Sequence, residues 1–200
     1  MDKKTRKLNK MNSIYIQEKP FKNLDFTQKP LAKGEYENCR FLNCDFSNSD
    51  LLEIKFFGCE FIGCNLSLAK LKDTALAEVK FKDSKMLGLR FDNCNEFGLS
   101  FSFEDCNLNN SSFYKAKLKK TFFKNTQLNE VDFTECDLTE SVFDYCDFKN
   151  AKFENTILEK TDFRTSFNYT INPEINRVKK AKFSLSGVVG LLNKYDIEVY

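Results

Sequence analysis

Eight cysteines and 29 acidic side chains are the groups in this 200-residue chain with the most obvious chemistry. Thiolates bind zinc or act as nucleophiles, and paired carboxylates serve as general acid and base. The spacing speaks against each use. Cys39, Cys44, Cys59, Cys64, Cys94, Cys106, Cys136 and Cys146 form no CxxC pair, and the chain has no histidine. A zinc site would lack both its usual spacing and one of its main ligand types. There is no GxSxG or GxxxxGK[ST] segment, so common nucleophile and phosphate-binding arrangements are absent too. No catalytic residue, metal or cofactor is expected. The chain reads as a non-enzyme.

What the cysteines share is a register. All eight lie at one position of a five-residue repeat, two before its central residue. From Phe26 to Phe91 every fifth residue is Phe, Leu, Tyr or Met, and the rule resumes from Phe103 to Phe163. Two places earlier the residue is small or β-branched, as in Ser49, Ala69, Thr74, Ala116, Thr121, Val131, Ser141 and Thr161. A short fixed period of this length means a solenoid. It matches neither the helical period of 3.6 nor the strand period of 2. A large residue with a small one two positions before it suits a short extended segment whose alternate side chains point inward. The other three positions are mostly polar and face water.

The number of sides follows from a longer interval. Phe21, Phe41, Phe61 and Phe81 are twenty residues apart, and so are Phe103, Phe123, Phe143, Phe163 and Phe183. Two extra residues separate the sets. Four five-residue sides per coil give a square β-helix with coils stacked at about 4.8 Å, and a rod of about 38 Å from Phe21 to Phe183. Cysteine at the small inward position is then an apolar filler, reduced and free of metal. Cys39 and Cys59, like Cys44 and Cys64, should lie one above the other about 5 Å apart. That is within disulfide range, but parallel side chains fit the torsion poorly.

Stretches such as Cys44-Asp45-Phe46-Ser47-Asn48, Cys64-Asn65-Leu66-Ser67-Leu68, Cys136-Asp137-Leu138-Thr139-Glu140 and Cys146-Asp147-Phe148-Lys149-Asn150 resemble the pentapeptide-repeat family. The resemblance covers residues 21–163 and runs more loosely to Phe183. It implies a right-handed quadrilateral β-helix, all-β, with the handedness coming from the resemblance alone. Some members of that family resemble DNA in shape and charge, bind type II topoisomerases and confer quinolone resistance, often as dimers joined through C-terminal ends. This chain differs in being near neutral, at +2, and in having no long projecting loops. No binding residue is carried over.

The chain divides into a basic tail with a capping strand over 1–20, the repeat over 21–185, and a capping helix and strand over 186–200. Residues 1–20 hold six Lys/Arg against two acids, with Ile14-Tyr15-Ile16 as the strand. Residues 92–102 read as a bulged corner with Phe97, Leu99 and Phe101 sharing the inward role, the alternative being a small recognition loop. Val188, Leu191, Leu192 and Tyr195 form one apolar face of a short helix, suited to capping the last coil or to meeting a second copy of the chain. Ile197 and Val199 alternate in a terminal strand. With no run of eighteen apolar residues and no secretory signal pattern, a cytoplasmic protein is expected.

Charge blocks supply the functional expectation. Residues 106–129 contain Lys115, Lys117, Lys119, Lys120 and Lys124 and no acid. Residues 130–162 contain Glu130, Asp132, Glu135, Asp137, Glu140, Asp144, Asp147, Glu154, Glu159 and Asp162 against three lysines, a net −7. These ten acids are the candidate partner-binding surface, with DNA gyrase as the sharpest candidate partner. The plainer reading is a solvated face, because Asp132, Asp137, Asp147 and Asp162 occupy the Asp/Asn position of the repeat. A generic scaffold for another protein is the alternative. A third reading is a weak nucleic-acid binder using the tail and the lysine block, although direct nucleic-acid binding is not expected. The layout of charge on the folded rod separates these readings: an acidic stripe for the mimic, a basic stripe for the binder, a mosaic for the scaffold.

Overall fold

In the computed structural model, which describes residues 14–198, each five-residue unit forms one side of a square coil and one corner. The first side carries β1 (Ile14–Gln17), β3 (Gly34–Glu37), β5 (Lys55–Phe57) and β7 (Ala75–Ala77) in a four-stranded parallel sheet. The second carries β2 (Pro20–Lys22), β4 (Arg40–Leu42), β6 (Glu60–Ile62), β8 (Val79–Lys82), β9 (Phe101–Glu104), β10 (Phe122–Lys124) and β11 (Val142–Asp144) in a seven-stranded one. The third and fourth sides are joined by single parallel rungs, such as Asn65↔Lys85↔Asn107↔Gln127↔Asp147 and Arg90↔Ser112↔Asp132↔Lys152. The fold is all-β, a parallel four-sided β-helix.

Corners recur because the residue two after each central one adopts left-handed backbone angles. Asn43, Asn48, Asp73 and Asn125 have φ between 46° and 57°. Asn and Asp tolerate that region best after glycine. The Asp/Asn of the repeat helps to form the next corner: Asp45, Asp132, Asp137 and Asp147 each accept the N–H two residues on, at 2.8–3.2 Å. A residue type that reads as charge in the sequence is here a turn-former.

The core is a stack of rings. Phe21, Phe41, Phe61, Phe81, Phe103, Phe123, Phe143, Phe163 and Phe183 form one column with successive centroids 4.6–5.5 Å apart. Phe91, Phe113, Phe133 and Phe153 form a second on the fourth side. Between the columns stand the small inward residues, whose hydroxyls and thiols donate to carbonyls of the coil below: Cys59 to Tyr36, Thr74 to Leu51, Thr161 to Leu138.

The two extra residues leave the coil as an outward bulge. Asn95 Oδ1 accepts the Phe97 N–H at 2.9 Å, Gly98 takes φ +71°, and the Ser100 N–H returns to the ladder at Leu76 O. Phe101 is buried and Leu99 half-buried, but Phe97 is 92% exposed. The expected inward role of Phe97 is therefore corrected. The side has room for one central residue, and the two-residue surplus turns Phe97 outward.

At the far end, the short helix takes the form of two 3-10 turns, Gly187–Leu191 and Asn193–Tyr195. The glycines explain its seat. A Cβ at Gly190 would collide with the Tyr169 backbone, and one at Gly187 with the Tyr169 hydroxyl. Leu191 packs on the core, while Val188 and Tyr195 are exposed. No strand forms over 196–198, since Asp196 is left-handed at φ 50°. Val199 and the basic tail from Lys3 to Lys10 lie outside the described residues.

Candidate interaction surface

The core is closely filled. A void among Leu66, Leu71, Met86 and Leu89 measures about 10 Å³ and is lined only by apolar side chains. All eight cysteines are free and buried. Burial pushes the Cys59 and Cys64 thiols up to about 12, and raises Cys136 well above its ordinary value. Among the described residues no group of three or more Cys, Asp or Glu could hold a metal ion, and no helix is long and apolar enough to cross a membrane.

Polar chemistry is confined to the outside, where the repeat stacks charges twenty residues apart. The ten acids are spread around the rod. Asp137 and Glu159 lie on the first side, Asp144 and Asp162 on the second, Asp147 on the third, and Asp132 and Glu154 on the fourth. Glu130, Glu135 and Glu140 sit at corners. Half of them meet cations from neighbouring coils. Lys115 reaches Glu135 at 3.5 Å, Lys119 reaches Asp137 at 3.2 Å, and Arg177 reaches Glu159 at 2.7 Å. Glu140 lies between Lys120 and Lys160, and Asp162 between Arg164 and Lys182.

The lysine block is thus used by the acidic block above it. Four of its five members form ion pairs, Lys124 reaching down to Glu104 at 3.0 Å. Arg40–Glu60–Lys80 and Lys82–Glu104–Lys124 repeat the device lower on the second side. Hydrogen bonds from the adjacent cations hold Glu140 and Asp162 below the ordinary carboxylate range. Glu130, Asp132, Asp144, Asp147 and Glu154 form no ion pair within 4 Å among the described residues, although Asp132 and Asp144 still feel Arg90 and Lys124 at longer range. Alternating signs along the sequence become neutral ladders along the axis, a consequence of the twenty-residue coil that linear charge counting misses.

Of the residues predicted for a two-fold contact, Val188 and Tyr195 are exposed, joined by Val189, Leu185 and Ile197. Leu191 turns toward the core, with Leu192 half-buried beside it. Tyr195 is tied back by a hydrogen bond from its hydroxyl to Glu174 at 2.8 Å.

A closed parallel β-helix built from five-residue units, with a dry core and its polar groups outside, defines a class of solenoid proteins. A family model for the pentapeptide repeat region matches residues 34–102 and 99–168, and the chain belongs to that family. Comparison with curated protein sequences gives no match. Among solved structures, the chain is similar to QnrB1, a plasmid-mediated fluoroquinolone resistance protein, at 18% identity and a TM-score of 0.58, covering 92% of this chain and 100% of that one. It is also similar to HetL, a pentapeptide repeat protein involved in heterocyst differentiation regulation in the cyanobacterium Nostoc sp.. There the identity is 16% and the TM-score 0.62, over 87% of this chain and 88% of that one. At these identities the likeness is one of fold.

Proposed function

We propose that this chain is a non-catalytic rod whose outer surface binds another protein, in the cytoplasm. The interleaving of the acidic coils with Lys and Arg of adjacent coils supports this reading best. A mosaic of neutral ladders offers specific hydrogen-bonding and shape contacts to a protein, whereas a nucleic acid or its mimic calls for one dominant sign of charge. The lysine block, being neutralised, gives a phosphate backbone little to hold.

A second reading is sharper. In it the rod imitates DNA, binds a type II topoisomerase (DNA gyrase) and protects against quinolones. Two observations favour it: the fold resembles that of QnrB1, a fluoroquinolone resistance protein, and Glu130, Asp132, Asp144, Asp147 and Glu154 form no ion pair within 4 Å among the described residues. A homodimer through Val188 and Tyr195 would bring two sets of these carboxylates onto one longer rod. Gyrase supercoiling, titrated with the protein in the presence and absence of a quinolone, decides between the readings. The mimic alters supercoiling or restores it under drug; the scaffold leaves both curves unchanged.

A further inference from the structure

The bulge at residues 95–100 interrupts the first side, where β7 is the last strand of its sheet and the ladder resumes only at Lys117↔Asp137. Along this side the position after the central residue is Phe57, then Ala77 directly paired above it, then the bulge bearing Phe97. Phe57 is partly exposed and Phe97 almost fully so. The half-buried Ala77 thus lies on this side between two aromatic residues, one coil below it and one coil above. Three carboxylates frame it. Asp73 and Glu78 occupy the corners on either side of β7, both left-handed at φ 56°, and Glu96 precedes Phe97. None has a cationic partner among the described residues. The adjacent base Lys55 is engaged by Glu35, and Lys117 faces outward from the coil beyond the bulge.

The loop is held in shape before any partner arrives. Asn95 Oδ1 accepts the Phe97 N–H, Ser100 Oγ donates to Gly98 O at 3.1 Å, and the Glu78 N–H donates to Ser100 Oγ at 2.8 Å. An exposed aromatic on a pre-organised backbone loses little entropy on docking, which is the usual character of a binding hot spot.

Building on the interaction-rod reading, we infer that this notch receives a segment of a partner protein that projects an arginine or lysine flanked by apolar side chains. The apolar flanks cover Ala77. The cation meets the faces of Phe57 and Phe97, as cations do over aromatic rings, and pairs with the carboxylates at the rim.

The test is a ¹H–¹⁵N chemical-shift titration with two blocked tripeptides, acetyl-Leu-Arg-Leu-amide and acetyl-Leu-Glu-Leu-amide. The arginine peptide should give saturable shifts centred on Ala77, Glu78, Phe97 and Gly98, and bind about tenfold more tightly than the glutamate peptide. Phe97→Ser should weaken it roughly fivefold with the melting temperature unchanged, because the ring contributes nothing to the core. Glu78→Gln with Glu96→Gln should remove the preference for arginine. No saturable shift, shifts centred on another side, equal binding of the two peptides, or indifference to Phe97→Ser each overturns the notch. Those results leave the interaction rod standing, since its own test is cross-linking to a partner with one probe on each of the four sides.

Discussion

Ser141 Oγ donates a hydrogen bond to the carbonyl oxygen of Leu118, 23 residues earlier and one coil below, at 2.6 Å. Ser141 Oγ in turn accepts the Thr121 N–H at 3.2 Å. One small buried side chain thereby joins two backbone groups outside the inter-coil ladder that also meet each other, the Thr121 N–H donating to Leu118 O at 3.3 Å. Replacing Ser141 with Ala should cost about 0.5–1.5 kcal/mol, the usual net contribution of an intramolecular hydrogen bond, because the two backbone groups keep each other as partners. Urea denaturation of the variant provides the measurement. A Ser141→Ala protein as stable as the parent would mean that the bond is dispensable.

The ring column makes a positional prediction. Phe123 is stacked between Phe103 at 5.0 Å and Phe143 at 4.6 Å. Its replacement by Ala should destabilise the rod by about 3–5 kcal/mol, because rings on both sides prevent the cavity from collapsing. Phe183 has a stacked neighbour at 5.5 Å on one side and is only half-buried. Phe183→Ala should cost clearly less. Equal losses in denaturant titrations would contradict a continuous column.

Corner chemistry allows a gain in stability. Tyr145 is left-handed at φ 53° with its side chain largely exposed. An L-residue with a bulky side chain is disfavoured there, and Asn tolerates the region better. Tyr145→Asn should raise stability by about 0.5–1 kcal/mol. A lower melting temperature would show that the ring makes an unrecognised contact.

Acid should weaken the rod through its ladders. Hydrogen bonding from Arg164 lowers the Asp162 pKa against partial desolvation, and hydrogen bonding from Lys160 lowers that of Glu140. A carboxylate depressed in the folded state contributes stability that is present above its unfolded pKa, about 4. That contribution is lost as pH falls through the lower folded value. Denaturation midpoints should therefore change little from about pH 8 to 5 and drop below about 4. Asp162→Asn should reduce the drop. A midpoint that rises on acidification would reverse the assigned sign.

The architecture was legible because periodicity is a property of the sequence itself. The Phe21-to-Phe183 column and the inward cysteines are found where their spacing places them. What failed were features set by closure and stacking. Phe97 is apolar and near register, yet a side with room for one central residue expels it. Leu191 and Tyr195 share a helical face in sequence, but a 3-10 turn seated on Tyr169 sends one to the core and leaves the other exposed. The surface was harder still. Asp137 and Lys119 are eighteen residues apart, and only the coil repeat makes them neighbours at 3.2 Å. A count of −7 over residues 130–162 could not show that half of those acids are neutralised.

The exposed end residues give a test of self-association that spares the cap. Val188→Asp with Val189→Asp changes outward side chains, whereas Tyr195→Asp would break the bond to Glu174 and Leu191→Asp would disturb the packing of the cap on the core. If two copies join at this end, light scattering should show a dimer for the parent and a monomer for the double variant. A monomeric parent at micromolar concentration removes the dimer.

The claim that the outer surface binds a protein is most directly tested by photo-cross-linking in the source cells. One outward residue on each side is replaced by a photoreactive phenylalanine analogue: Ala77 on the first, Val142 on the second, Gln127 on the third, Lys152 on the fourth. A protein-binding rod should give a cross-link of defined mass to another polypeptide, strong from one or two adjacent sides and absent from the opposite one. Cross-links to nucleic acid alone, or to no macromolecule from any side, would contradict it.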